Sequence, residues 1–280
     1  MKTIEIEKIE AAVKQLCIQA NYVLPKDVKQ QICKMQSEEI WPYAHRILRD
    51  IKENIEIAEE KVFPLCQDTG QVCVFVEIGQ NVRIKGGFIE DAINRGIKKA
   101  YCENNLRKSI VVDPLNRINT NDNTPACIYY EIKEGDCLKI TIAIKGFGSE
   151  NLSCITMLPP SAGPEGVKDF VVKICENAGA NPCPPIVVGV GIGGNFDKSA
   201  YMAKKALIRD LGKRNKDEYY QKMEEELLER INMLGIGPQG FGGKTTALAV
   251  NINVAPTHIA GLPVAVNINC HVSRHRQIIL

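Results

Sequence analysis

The 280-residue chain has the composition of an ordinary globular protein, with 45% hydrophobic and 24% charged residues. Its 35 Lys and Arg residues nearly balance its 33 Asp and Glu residues, and the net charge of +2 indicates neither a nucleic-acid-binding nor a membrane-binding surface. No apolar run reaches the roughly 18 residues of a membrane-spanning helix, and the first residues lack the apolar core of a signal peptide. We therefore expect a cytoplasmic protein.

Helical patterns dominate the first part of the chain. Residues 1–61 have the apolar spacing of helices, and Pro25 and Pro42 stand where a second and a third helix can begin. This predicts a helical N-terminal part that precedes an α/β part over residues 62–280. Further helices are predicted over 88–104, 165–178, 196–211 and 217–234, and strands over 72–78, 126–132, 137–144, 186–190, 247–252 and 262–268.

The turn residues Lys-Glu-Gly-Asp at 133–136 predict a β-hairpin between residues 126–132 and 137–144. Taken together, the elements predict a mixed α/β (α+β) fold. N-terminal helices are expected to pack on mostly antiparallel sheets in a single domain over residues 1–280.

Two glycine-rich stretches resemble nucleotide-binding motifs, but neither has the sequence context that those motifs require. Gly189-x-Gly191-x-x-Gly194 matches the dinucleotide fingerprint, but two helical patterns follow it instead of one helix and a parallel strand, so we interpret it as a tight turn. Residues 237–246 resemble a phosphate loop, but Pro238 occupies the position of the first glycine. This loop also follows a helix and precedes a strand, the reverse of the required order, and we interpret it as an anion-friendly or structural loop.

Eleven cysteines are a high count, and their odd number and irregular spacing argue against a secreted disulfide framework. We expect most of them to be small, buried side chains in a reducing compartment. Six lie in helix-like or strand-like segments: Cys17, Cys33, Cys102, Cys73, Cys127 and Cys137.

Three other cysteines have unusual settings. Cys66 precedes a Gln and an Asp, so that a soft metal ligand, an amide and a proton-handling carboxylate stand side by side. Cys183 lies between prolines, which predicts a rigid and exposed thiol, and Cys270 follows the last predicted strand. We predict that these three thiols meet around an iron–sulfur cluster. The residues alone leave open a zinc site, or a nucleophilic thiol with His258 or His271 as its base.

Five stretches carry a resemblance to a known family: PLCQDTG at 64–70, KGFGSEN at 145–151, PCPPIVVGVGIGG at 182–194, GPQGFGGKTTALAVN at 237–251 and NINCH at 267–271. They resemble the alpha subunit of class I fumarate hydratases, from about Ile4 to the C-terminus. The L-tartrate dehydratase alpha subunit is a close relative. That branch carries a cysteine in place of Ser149 and lacks the Lys-Thr-Thr run at 244–246, which favours fumarate hydratase.

The resemblance implies a hydro-lyase of the tricarboxylic acid cycle that hydrates fumarate reversibly to L-malate. It implies a [4Fe-4S] cluster on Cys66, Cys183 and Cys270, with an open iron acting as a Lewis acid. It also implies a beta subunit that completes the site, in an α2β2 assembly. The substrate-side positions that it implies are Gln67, Asp68, Arg107, Gly146, Gly148 and His258, with Asp68 and His258 catalytic.

Alternatives to these assignments remain at this stage. The reaction can instead be the dehydration of tartrate to oxaloacetate, or the chain can be a non-catalytic metal- or thiol-binding scaffold. Arg107 can instead serve only to stabilise the C-terminal end of a helix through the helix dipole. His258 can instead be a buried histidine with a structural role.

Overall fold

The computed structural model describes residues 2–280. The helices are α1 (Ile6–Tyr22), α2 (Lys26–Glu38), α3 (Pro42–Lys61), α4 (Ile89–Glu103), α5 (Phe147–Glu150), α6 (Gly163–Ala178), α7 (Phe196–Ala206) and α8 (Glu218–Asn232). The strands are β1 (Lys2–Glu5), β2 (Gln71–Gly79), β3 (Val82–Lys85), β4 (Cys127–Lys133), β5 (Leu138–Lys145), β6 (Cys154–Leu158), β7 (Ile186–Gly194), β8 (Ala247–Thr257), β9 (Leu262–Asn269) and β10 (Arg274–Ile279).

The predicted fold class is confirmed. Helices and strands are mixed along the chain, and antiparallel pairs outnumber parallel ones, with β10–β5, β2–β5, β6–β9 and β7–β9 antiparallel and β1–β3, β2–β4 and β7–β8 parallel. Over residues 2–280, none of the helices combines the length and the apolar character that crossing a membrane requires.

Contacts between Cα atoms divide the chain into two compact units. The first unit comprises residues 2–25, Ile55–Phe147 and Arg274–Leu280, and the second comprises Lys26–Asn54 and Gly148–Ser273. Each unit is built around one four-stranded sheet. The predicted functional residues are therefore divided between two cores.

The first unit packs α1 and α4 on a sheet with the strand order β10-β5-β2-β4. Ile9 and Val13 of α1 and Ile93 and Ile97 of α4 are fully buried at helical spacing, which gives each helix one apolar face. A Cβ on Gly96 would lie 2.6 Å from Glu10 O, so only glycine lets the two helices approach this closely. β1 and β3 form a separate parallel pair.

The hairpin predicted between residues 126–132 and 137–144 is wrong. β2 lies between β4 and β5: Val74 is opposite Ile142 in the antiparallel pair and opposite Ile128 in the parallel one. β2 is largely apolar and buried, so pairing on both edges satisfies its backbone groups, whereas a β4–β5 hairpin would leave one edge open. The predicted turn exists, but it crosses the end of β2 and is hydrogen-bonded to it.

The second unit has the strand order β6-β9-β7-β8, with α6 and α8 packed on the buried valines and isoleucines of the sheet. α7 packs on β7 at two glycines. A Cβ on Gly189 would lie 2.1 Å from Ala203 O, and one on Gly191 would lie 2.0 Å from Ser199 O. The glycines that imitate a dinucleotide fingerprint therefore permit close packing of a helix, and the second helix expected after α7 is present as α8.

Two further expectations are wrong. The short strands β1, β3, β6 and β10 were not predicted, because four to six residues carry too little periodicity to be recognised and β1 lies within the region assigned to helices. Most cysteines are also not buried: only Cys17, Cys73 and Cys175 are, and the other eight are half-buried or exposed. All eleven lie among the described residues, and none of them forms a disulfide there.

Candidate functional site

The loop that carries Cys66 begins at a backbone contact with α1. Leu65 N donates to Asn21 O at 2.9 Å, and the buried Asn21 side chain donates to Cys17 O at 3.0 Å. Cys66 itself is half-buried and Gln67 is exposed. The thiol and the amide are therefore presented by a loop whose start is anchored in the core of the first unit.

The carboxylate of Asp68 is held at both oxygens. Oδ1 accepts from Gly70 N at 2.9 Å, and Oδ2 accepts from Phe147 N at 3.1 Å. A Cβ on Gly146 would lie 3.2 Å from Oδ2, so the absence of a side chain at residue 146 allows this approach. Asp68 thus joins the Cys66 loop to Gly146 and Phe147 within the first unit.

Arg274 fixes the same loop from β10, and sequence reasoning missed it. Its side chain is buried, with 2% exposure. Nη2 donates to Asp68 O at 2.8 Å, and Nη1 donates to Asn21 Oδ1 at 3.2 Å. A buried guanidinium has to find acceptors, and these two lie on different segments. No local pattern distinguishes Arg274 from the other basic residues of the tail.

The end of the loop is tied to the segment that follows α4. Thr69 Oγ1 donates to Arg107 O at 3.0 Å, and Asn123 Nδ2 donates to Gly70 O at 3.1 Å. Burial raises the pKa of Tyr101, so its hydroxyl stays protonated and donates to Thr69 O. Arg107 is exposed and lies beyond the last turn of α4, which removes the helix-dipole interpretation. The structure thus brings Arg107 and the Cys66 loop together in the first unit.

In the second unit, Cys183 and Cys270 lie in loops that touch. Cys183 is exposed, and Cys270 is half-buried directly after β9. His271 N donates to Cys183 O at 3.4 Å, and His271 Nδ1 lies 3.0 Å from the same oxygen. Because a carbonyl oxygen only accepts, Nδ1 carries the ring proton in this contact. Two of the predicted ligands are therefore neighbours through their backbones.

The other two predicted site residues of the second unit, Gly148 and His258, make fewer contacts with the loops of Cys183 and Cys270. A Cβ on Gly148 would lie 3.8 Å from Asn181 O, which puts Gly148 beside the start of the Cys183 loop. His258 lies at the turn after β8 and is exposed, so the interpretation as a buried structural histidine is wrong. Its Nδ1 accepts from Ala260 N at 3.2 Å. None of the hydrogen bonds described within residues 148–273 connects His258 to either cysteine.

The loop that resembles a phosphate site is filled by a carboxylate of the chain itself. Glu39 Oε2 accepts from Lys244 N at 2.9 Å and from the backbone and hydroxyl of Thr245, both at 3.2 Å. Glu39 Oε1 accepts from the backbone N–H groups of Ile40 and Trp41, just before α3 begins. The loop binds an anionic group, as predicted. That group is the carboxylate of Glu39, which belongs to the chain itself.

Replacing Glu39 with glutamine should destabilise the protein. Hydrogen bonds to a charged acceptor contribute about 1.5–3 kcal/mol, and an amide NH2 in place of one oxygen would face N–H donors. We expect the free energy of unfolding in urea to fall by about 2 kcal/mol. Glu38→Gln is the matched control, because Glu38 is exposed and its ion pair with Lys34 is 3.9 Å long. Equal unfolding midpoints for the two variants would contradict this role of Glu39.

The donor chemistry of the three thiols fits a soft metal centre. Cys66 of the first unit and Cys183 and Cys270 of the second all lie in loops, and none of them is fully buried. By contrast, burial raises the pKa of Cys17 and raises that of Cys175 to about 12, so these thiols stay protonated. Across residues 2–280, no three His, Cys, Asp or Glu side chains are grouped closely enough to hold a metal ion.

Comparison with known proteins gives a consistent result. The model of the fumarate hydratase (Fumerase) family matches residues 10–279. A Methanocaldococcus jannaschii protein named putative L(+)-tartrate dehydratase subunit alpha is 45% identical over 273 residues, 95% of each chain. L(+)-tartrate dehydratase alpha subunits of Escherichia coli strains UTI89 and K12 are 30% and 29% identical, over 96% and 99% of this chain and 92% and 94% of the relatives. The chain therefore belongs to the fumarate hydratase (Fumerase) family.

Proposed function

We propose that the chain is the cytoplasmic alpha subunit of a hydro-lyase that interconverts fumarate and L-malate. The observation that best supports a catalytic role is the setting of Asp68. A carboxylate two residues from a candidate ligand is held at both oxygens by backbone N–H groups, at 2.9 and 3.1 Å. A scaffold subunit has no need of a fixed proton-handling group beside a metal ligand, whereas a hydro-lyase requires one.

The cofactor that we propose is a [4Fe-4S] cluster held by Cys66, Cys183 and Cys270. Three soft thiolates suit such a cluster, and the chain has no Cys-x-x-Cys pair of the kind that builds a structural zinc site. When bound, the cluster supplies a Lewis acid through the iron that has no protein thiolate.

The roles that we propose for the side chains follow from their donors and acceptors. Arg107 binds one carboxylate of the substrate through its planar fork of N–H groups. His258 accepts at Nδ1, so its neutral ring carries the proton on Nε2, which suits a donor to the other carboxylate better than a general base. Gln67 and the backbone at Gly146 and Gly148 supply further hydrogen bonds, and Asp68 holds or moves the proton.

A beta subunit is the proposed partner, in an α2β2 assembly. The compared relatives are named alpha subunits, which supports the existence of a second type of chain. We propose that the beta subunit supplies the base and the remaining cations of the site. A substrate with two carboxylates needs such partners at both ends.

L-tartrate is the second candidate substrate, and one observation favours it. The compared relatives carry the name tartrate dehydratase, including the one at 45% identity. Tartrate and malate share the dicarboxylate that Arg107 and His258 would bind and differ in one hydroxyl. Assays of the purified αβ complex with fumarate, L-tartrate and a methylated fumarate decide between the candidates. Turnover of none of them would leave only the scaffold interpretation.

Replacing Asp68 with asparagine in the αβ complex should lower turnover by about 10²-fold, the contribution of one positioned acid–base group. The iron content should not change, because the loop of Cys66 keeps its backbone contacts, from Leu65 N to Asn21 O and from Arg274 Nη2 to Asp68 O. Asp113→Asn is the matched control, since the exposed Asp113 makes the same kind of turn, with Leu115 N at 2.9 Å. Unchanged turnover of the Asp68 variant would reduce Asp68 to a structural turn residue.

A further inference from the structure

The segment that carries Cys183 has only one backbone N–H group with which to form hydrogen bonds. In residues 182–185, Pro-Cys-Pro-Pro, the only backbone N–H is that of Cys183. It donates to Ala180 O at 3.1 Å, within the same turn. Every contact that fixes the segment through its backbone to another part of the second unit must therefore use a carbonyl oxygen.

Two successive carbonyl oxygens, those of Cys183 and Pro184, are each contacted by the backbone N and by a side-chain N of a single residue. Cys183 O receives the contacts of His271, from the backbone N at 3.4 Å and from Nδ1 at 3.0 Å. Pro184 O accepts from Gln239 N at 2.8 Å and from Gln239 Nε2 at 2.8 Å. Gln239 Nε2 also lies 3.3 Å from His271 Nδ1, so the two holding residues touch. We call Gln239 and His271 the carbonyl clamp.

The clamp coincides with backbone strain. Cys183 has a φ of 54° and Gln239 a φ of 53°, in the left-handed region that non-glycine residues rarely adopt. Such conformations persist where the surroundings over-determine them. Here Cys183 provides the carbonyl that His271 contacts, and Gln239 donates to the carbonyl of the next residue, Pro184. The strain and the clamp therefore fix one local arrangement of the Cys183 backbone.

We infer that Gln239 and His271 are positioning residues that fix the backbone of Cys183 relative to Cys270 before any metal is bound. The inference rests on the proposed function, because it assigns the two cysteines as ligands. His271 directly follows Cys270, so its two contacts connect the backbones of the two ligand loops. Gln239 lies in a third loop and contacts Pro184 O of the Cys183 loop and His271 of the Cys270 loop. Groups that orient metal ligands in this way typically govern how tightly the metal is retained.

The test compares Gln239→Met with Lys244→Met in the αβ complex. Methionine keeps the length of the side chain and removes the amide, while Lys244 is an exposed residue of the same loop. We expect iron to pass to a chelator about tenfold faster from the Gln239 variant, and the one-electron-reduced cluster to give a changed electron paramagnetic resonance spectrum. Lys244→Met should match the wild type in both. Gln239→Asn, which tolerates a positive φ but is too short to reach Pro184 O, should behave like Gln239→Met.

A second readout does not need the cluster. In the metal-free complex, hydrogen exchange at the Cys183 and His271 amides should be about fivefold faster in Gln239→Met, the factor expected for one hydrogen bond. Wild-type iron retention and exchange in both Gln239 variants would overturn the positioning role while leaving the proposed function intact. A wild-type complex that binds no cluster would overturn the proposed function instead, and the exchange rates would still show whether the clamp orders the Cys183 loop.

Discussion

Replacing Cys183 with serine should remove the visible absorbance of the reconstituted cluster and reduce hydro-lyase activity to the background level. Serine keeps the shape of the side chain but replaces a soft thiolate with a hydroxyl that does not ligate iron in the same way. Cys66→Ser and Cys270→Ser should have the same effect, although Cys66 belongs to the first unit and Cys183 and Cys270 to the second. Absorbance, iron content and activity are measured after anaerobic reconstitution.

The controls for this experiment are other accessible cysteines. Cys154 is exposed in β6 and Cys127 is half-buried in β4, and their replacement by serine should leave the absorbance and the iron content unchanged. A Cys183→Ser protein with a full complement of iron would show that the ligand assignment is wrong. Loss of iron in all five variants would indicate damage to folding instead, which circular dichroism detects.

The isolated alpha chain should show no hydration of fumarate and no dehydration of tartrate. In our proposal, Arg107, His258 and Asp68 supply binding and proton-handling groups, and the base comes from the beta subunit. Adding purified beta subunit should restore activity with a saturable dependence on its concentration. The loops of Cys66, Cys183 and Cys270 should then become the segments most strongly protected from hydrogen exchange.

We expect the alpha chain to fold and to take up a cluster by itself, because all three proposed ligands belong to it. Iron content and activity are therefore measured separately on the isolated chain. Robust turnover by the alpha chain alone would contradict the division of labour and would require a complete acid–base set among its own residues.

The helices were predictable because periodicity is a local property. α4 begins and ends within one residue of the prediction, and α3 begins at Pro42, where the sequence permits a helix to start. Strand pairing was not predictable in the same way. The turn at 133–136 has suitable hairpin residues, yet β2 takes both partners because its burial requires pairing on each edge. That requirement depends on segments far apart in the sequence.

The three candidate thiols were singled out by their unusual contexts and the substrate-side candidates by the family resemblance, whereas the residues that hold them in place were not predicted. Arg274, Asn21 and Gln239 act on backbone carbonyls or on one another, and such contacts leave no motif in the sequence. Glu39 lies more than two hundred residues from the loop that it fills. The glycine spacing excluded a nucleotide site, but nothing in that spacing indicates which anion the loop holds.

The position of β10 sets an order of events during synthesis. Residues 274–279 emerge from the ribosome after the whole second unit, yet they complete the sheet of the first. Until then β5 has an open edge, and the carbonyl of Asp68 lacks the guanidinium of Arg274. The contacts between the Cys183 and Cys270 loops form without this strand. The loop of Cys66 therefore gains its contact with Arg274 only after β10 has paired with β5, later than the loops of Cys183 and Cys270 can form theirs.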